Sequence, residues 1–289
     1  MLLESAVRPD RPVVTAHPAG SAGIGVVLPH SSRWETGATL AGTGRFVDDV
    51  GYRSVWLRDW PIGVRNSVYS LDTGTGHDPV AYASILRTLL PPEVTVGLAV
   101  LRLDYREPAV TARSIVSMAS LARGPMIVGL GGASSNDPTA QEETVRTYRR
   151  VRALLSSADH DFVVPDDFVC PPLYLASRSV ATWEGIGFEA EGVLTTEVHP
   201  RRLEESLAPL RRHRPGLSVG LEFLVELDRA DPERMVRQGR TLIVGRRRIG
   251  QLARAWSDAG VQHLLVHMAP ASSRDEHLDL VDAISGRQS

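Results

Sequence analysis

The chain has 289 residues, 43% of them hydrophobic and 23% charged, with a formal net charge of −2. That length suits one α/β barrel of roughly 250 residues, and the composition is that of a globular chain with a large core. The weak net charge leaves no global field to draw in nucleic acid or anionic lipid, and no apolar run reaches the about 20 residues that span a bilayer. No nucleic-acid or membrane partner is therefore expected. Cys170, the single cysteine, excludes an internal disulfide, and no Cys/His pair has zinc spacing, so no metal is expected. All 32 basic residues are arginine, which removes both the Schiff-base lysine and the P-loop lysine.

Residues 1–22 are rich in Pro and Ala and carry Arg8 and Arg11, without the apolar centre of a signal peptide. They read as a disordered extension on a cytoplasmic protein, followed by one domain over 23–289 with no linker inside it. From 23 onward, short apolar runs alternate with segments of helical period, the pattern of repeated βα units on a parallel sheet. Strand one is 23–29 (GIGVVLP), followed by a helix over 40–50 that stops at Gly51, then strand two at 54–57 (SVWL). Asp78 is an N-cap with Pro79 at the first helical position, for a helix to about Leu90. The near-continuous apolar run 94–103 is a strand buried on both faces. After Pro108 comes a helix with apolar Val110, Ile115, Met118 and Leu121, which Gly124 ends.

Strand four is 126–130, and a long charged helix follows at 139–156. Strand five (173–176), a short helix (179–186), strand six (192–195) and a helix (200–212) come next. Strand seven (217–227), a helix (246–259), strand eight (261–268) and a last helix (274–284) complete the chain. Eight strands, each followed by a helix, is the number a (β/α)₈ barrel needs. Periodicity alone does not separate that barrel from an open doubly wound sheet.

In a barrel, reactive groups sit on the loops after the C-terminal ends of the strands. Ser177-Arg178-Ser179, with Thr182 one turn on, stands after strand five. Hydroxyls and a guanidinium at a helix start suit a phosphate, because the helix N–H groups and macrodipole favour an anion there. The plainer alternative is that a serine caps the helix and Arg178 is solvated. Arg58-Asp59-Trp60 after strand two could orient a planar ring or substrate, or could be an ion pair that organises its loop. His30, after strand one, is a candidate general base, since imidazole titrates near neutrality. Of His263 and His267 on strand eight, one is expected to face the barrel or its mouth. Gly129–Ser134 has no Rossmann glycine spacing, and there is no G-x-S-x-G elbow.

The stretch Gly51-Tyr-Arg-Ser-Val-Trp-Leu-Arg-Asp-Trp-Pro61 resembles the helix-one to strand-two region of luciferase-like flavin-dependent oxidoreductases, most closely a subgroup with Trp-Leu-Arg-Asp there. Asp78-Pro79, 94–108, 126–134, 173–179 and 244–267 resemble later landmarks in the same order, so the resemblance covers roughly residues 23 to 284. It implies a single (β/α)₈ barrel that binds reduced FMN, or a deazaflavin in some branches, and oxidises a small organic substrate. It also implies a flavin reductase as supplier of reduced flavin, and a homodimer. The cofactor phosphate would lie on Ser177, Arg178, Ser179 and Thr182, with the ring against the early strand ends, including Leu101 and Arg102. Arg58, Asp59 and His30 would carry the chemistry. Two departures stand out: Arg58-Asp59 replaces the histidine many members have after strand two, and only Ala133 to Pro138 stand where a longer insertion follows strand four. Three readings remain open: an FMN- and oxygen-dependent monooxygenase, a deazaflavin-dependent hydride-transfer enzyme, and a catalytically silent partner subunit.

Overall fold

In the computed structural model the described residues are 22–28, 37–59, 78–121, 124–132, 137–156, 162–177, 189–268 and 272–287, with backbone alone for 37–41. The elements run β1 (Gly23–Val27), α1 (Gly37–Val50), β2 (Ser54–Leu57), α2 (Pro79–Leu89), β3 (Thr95–Arg102), α3 (Pro108–Leu121), β4 (Met126–Gly131) and α4 (Pro138–Leu155). They continue β5 (Leu173–Ala176), β6 (Gly192–Thr195), α5 (Pro200–His213), β7 (Ser218–Asp228), β8 (Met235–Gln238), β9 (Thr241–Gly245), α6 (Arg246–Asp258), β10 (His263–Met268) and α7 (Arg274–Ser285). β1 to β7 pair in sequence, all parallel, and β10 pairs with both β7 and β1. The sheet therefore closes on itself as an eight-stranded parallel barrel, and the open doubly wound alternative is ruled out.

The period of two along each strand sorts the side chains into two cores. One parity (Val26, Val55, Leu57, Val96, Leu98, Val128, Leu130, Leu173, Leu175, Val193, Val219, Leu221, Leu264 and Val266) packs outward with the helices in the main apolar cluster. The other fills the barrel interior with Val27, Trp56, Ala99, Ile127, Tyr174, Leu194 and Leu265. Trp56, fully buried, needs room, and glycine provides it: a Cβ on Gly97 would lie 2.1 Å from the indole ring and one on Gly25 2.7 Å from its nitrogen.

Helix signals hold where the chemistry is local. Asp78 accepts from the N–H groups of Val80 and Ala81 and caps α2, and Ser273 with Glu276 forms a capping box on α7. On α3 the buried positions are Thr111, Ala112, Ile115 and Met118, while Val110 and Leu121 are exposed, a face rotated from the expected one. The expected helix at 179–186 and nearly all of the N-terminal extension lie outside the described residues. No helix among the described residues is long and apolar enough to cross a membrane.

One element was not expected. Between β7 and α6 the chain forms the antiparallel hairpin β8–β9, and β9 pairs parallel with Leu224–Asp228 of β7. β10 occupies one edge of β7 as far as Val225, and β6 leaves the other edge at Leu221. β9 takes that vacated edge, so the hairpin extends the barrel wall above β6.

Candidate functional site at the mouth of the barrel

The C-terminal ends of the strands define the mouth, and three ionisable side chains meet there. Arg58, just past β2, reaches across β1 and β10 to Glu222 on β7, with Nη1 3.0 Å from Oε1. His267 on β10 places Nε2 2.7 Å from the same oxygen. The side chains of Glu222 and His267 are 10% and 12% exposed, so the group is screened from bulk water. Burial alone would push the Glu222 carboxyl up. The Arg58 guanidinium, the His267 hydrogen bond and Arg240 outweigh it and hold the carboxyl at about 2.

Both β10 histidines face inward, because residues four apart on a strand share a face. His263 lies deeper, 2% exposed, within 3.2 Å of the Tyr174 hydroxyl, which donates to Ser218 Oγ at 2.6 Å. Only His267 reaches the mouth.

Asp59 belongs to a separate structure. Its Oδ2 accepts from the backbone N–H of Arg102 at 3.1 Å and from Arg106 Nε at 3.0 Å, and Arg106 Nη2 also donates to Asp78 at 2.6 Å. The carboxylate thus ties the ends of β2 and β3 to the start of α2. This is the loop-organising ion pair, and it engages Asp59 with partners other than Arg58.

β3 carries an irregularity that sequence parity does not foresee. Its register on β4 shifts between Leu98 and Leu101. Ala99 and Val100 consequently both turn inward, and Leu101 turns out into the layer under the helices, with no exposed surface. Simple alternation from Gly97 and Ala99 would have put Leu101 in the mouth; the bulge places Val100 there instead, so the Leu101 side chain takes no part in a ligand site. Arg102 pairs in register with Gly131 at the rim, with its Nε 2.7 Å from Asp104 and its guanidinium 4.5 Å from the Tyr105 ring centre.

Ser177 follows β5 at the rim; Arg178, Ser179, Thr182, His30 and Trp60 lie outside the described residues. The connection between β4 and α4 is short, from Gly131 to Pro138. Sequence reading passed over Glu222 because it sits in an apolar run. Its signal was its parity: it shares the inward face with Ser218 and Gly220. Among the described residues no group of His, Cys, Asp and Glu could hold a metal ion.

The residues present suit a planar, anionic ring. Val100 and Ala176 are half-buried and converge at Gly131, where a built Cβ would lie 3.3 Å from each. They make an apolar floor on the β3–β5 side of the mouth, and the Arg58–Glu222–His267 group lies at the ends of β2, β7 and β10.

No family model and no curated protein matches this sequence. Solved structures share its fold. An F420-dependent secondary alcohol dehydrogenase, in complex with an F420-acetone adduct, aligns over 93% of this chain and 100% of its own, with a TM-score of 0.69 and 15% identity. EDTA monooxygenase from Chelativorans sp. BNC1 covers 93% of this chain and 94% of its own, with a TM-score of 0.68 and 11% identity. The coenzyme F420 dependent tetrahydromethanopterin reductase from Methanopyrus kandleri covers 91% and 98%, with a TM-score of 0.64 and 12% identity. At such identities the likeness is one of fold.

Proposed function

We propose that the protein is a luciferase-like oxidoreductase that uses reduced FMN or a deazaflavin to act on a small organic substrate. The observation that carries this reading is the Arg58–Glu222–His267 group and an apolar floor at the barrel mouth, on a fold shared with F420-dependent enzymes and a monooxygenase. A bound flavin or deazaflavin would supply the electrons or hydride, since no side chain present can.

The chain's own part is binding, orientation and proton handling. Ser177, Arg178, Ser179 and Thr182 are the residues to hold the phosphate. Val100, Ala176 and Gly131 offer the apolar face. Arg58 sets a permanent positive charge at the edge of the ring, which favours its anionic reduced form. His267, rather than Asp59, is the group placed to exchange a proton. The F420-dependent neighbours give the deazaflavin reading equal footing with FMN. The charged group at the mouth favours an active enzyme over a silent partner subunit.

Titration of the purified protein with FMN, reduced FMN and F420, followed by fluorescence, tests the reading. Binding of one of them at micromolar concentration, weakened at least tenfold by Arg178→Ala and by Arg58→Gln, is the expected result. No binding of any at high micromolar concentration overturns it.

A further inference from the structure

We propose that Glu222 is a positioning residue that keeps His267 protonated at the mouth, and that Arg58 is the opposing charge that limits how firmly the proton is held. The geometry of this trio stands without any ligand; its catalytic consequence rests on the function proposed above.

A single oxygen, Oε1 of Glu222, faces both Arg58 Nη1 at 3.0 Å and His267 Nε2 at 2.7 Å. The guanidinium is charged at every accessible pH and the carboxylate stays ionised near neutrality, so there His267 is the member of the trio that can change charge. From β7 it faces the Glu222 carboxylate at hydrogen-bond distance, which favours imidazolium. From β2 comes Arg58, which shares the Glu222 oxygen and favours the neutral ring, while Arg240, in the turn between β8 and β9, acts on the same carboxylate. The β1 residues at this level, Val27 and Leu28, carry no titratable group. With imidazolium the trio has a net charge of +1, and with neutral imidazole it has none.

Nε2 is held by Glu222. When the imidazolium gives up its other proton to a basic atom, the Nε2–H bond to Glu222 is kept. The trio falls from +1 to neutral, the acceptor gains one positive charge, and no unpaired carboxylate is left behind. The net positive charge of the trio is therefore lost with the proton, while the Arg58 charge stays.

Side-chain proton–nitrogen NMR of the full-length, ligand-free chain follows this directly. His267 is assigned by the signal lost in His267→Gln, and His263, which hydrogen-bonds to a hydroxyl, serves as internal reference. Glu222→Gln is expected to lower the His267 titration midpoint by about 1–2 units. Glu222→Asp should largely restore it, and Arg58→Gln should raise it, with His263 unmoved in each. If Glu222→Gln fails to fold, the opposite sign required of Arg58→Gln and the restoration by Glu222→Asp still decide. An unchanged midpoint in Glu222→Gln, or a downward shift in Arg58→Gln, overturns the proposal. These shifts in a protein that binds neither flavin nor F420 would support the charge arrangement and overturn the function proposed above instead.

Discussion

His263 and His267 stand four residues apart on one strand, point into the same barrel, and live in opposite chemistries. His263 is sealed in the interior, with the Tyr174 hydroxyl and the Trp56 ring against it. His267 shares a carboxylate with a guanidinium at the rim. The difference teaches that strand position in a barrel is depth, and depth selects between a polar group that closes the core and one that can meet a ligand. Neighbours decide the rest: hydroxyls below, charges above.

Four measurements break or sharpen that contrast, from the largest expected effect to the smallest. Glu222→Ala leaves Arg58 and His267 facing each other without their shared anion, and urea unfolding should register a loss of about 3–5 kcal/mol. A loss under 1 kcal/mol would mean the mouth charges are solvated rather than buried. Acid should reach the same interaction without mutation. A carboxyl held at about 2 rather than its ordinary 4.5 stabilises the fold fully above pH 4.5 and loses that contribution as pH falls toward 2, of order 3 kcal/mol. His277 adds an earlier limb: burial against Tyr52 and Phe46 holds it at about 4, so its contribution fades as pH falls from 6.5 toward 4. Thermal melts across pH 2–7 should therefore decline in two stages, and Glu222→Gln should remove the lower one.

Gly97→Ala forces a methyl against the Trp56 ring, at a cost of roughly 1–3 kcal/mol in chemical unfolding. Wild-type stability in that variant would show the inner core to be looser than its contacts imply. Smallest is Tyr174→Phe, which removes the donor to Ser218 and the partner of His263 for about 1 kcal/mol. Its cofactor affinity should equal that of the parent, because the change lies beneath the floor. Weakened binding would join the two depths that the structure separates.

All eight barrel strands were legible in the sequence because a strand buried on both faces reads as an apolar run. β8 was not, since Met235–Gln238 is wholly exposed and alternates no apolar face, and β9 hid among arginines. Arg58 was legible as a mouth residue through its place after a strand. Its partner Glu222 was not, for an apolar run draws the eye to its majority. Leu101 failed for a subtler reason: one extra residue in β3 reverses parity beyond it, and nothing in VTVGLAVLRL announces the shift. Asp59 looked like Arg58's companion because the two are adjacent, yet adjacent residues diverge, and it found Arg106 instead.

The barrel closes through β10, which joins β7 to β1 by pairing His263 with both Gly220 and Gly23. A ribosome emitting this chain has released β1 long before β10, and loop closure between such distant segments is slow. Until then β1 and β7 each present a bare edge, the form in which strands pair with the wrong neighbour. The strand that seals those edges also carries His267. The nascent chain thus acquires its finished wall and its mouth histidine in one event, and a product truncated before His263 has neither.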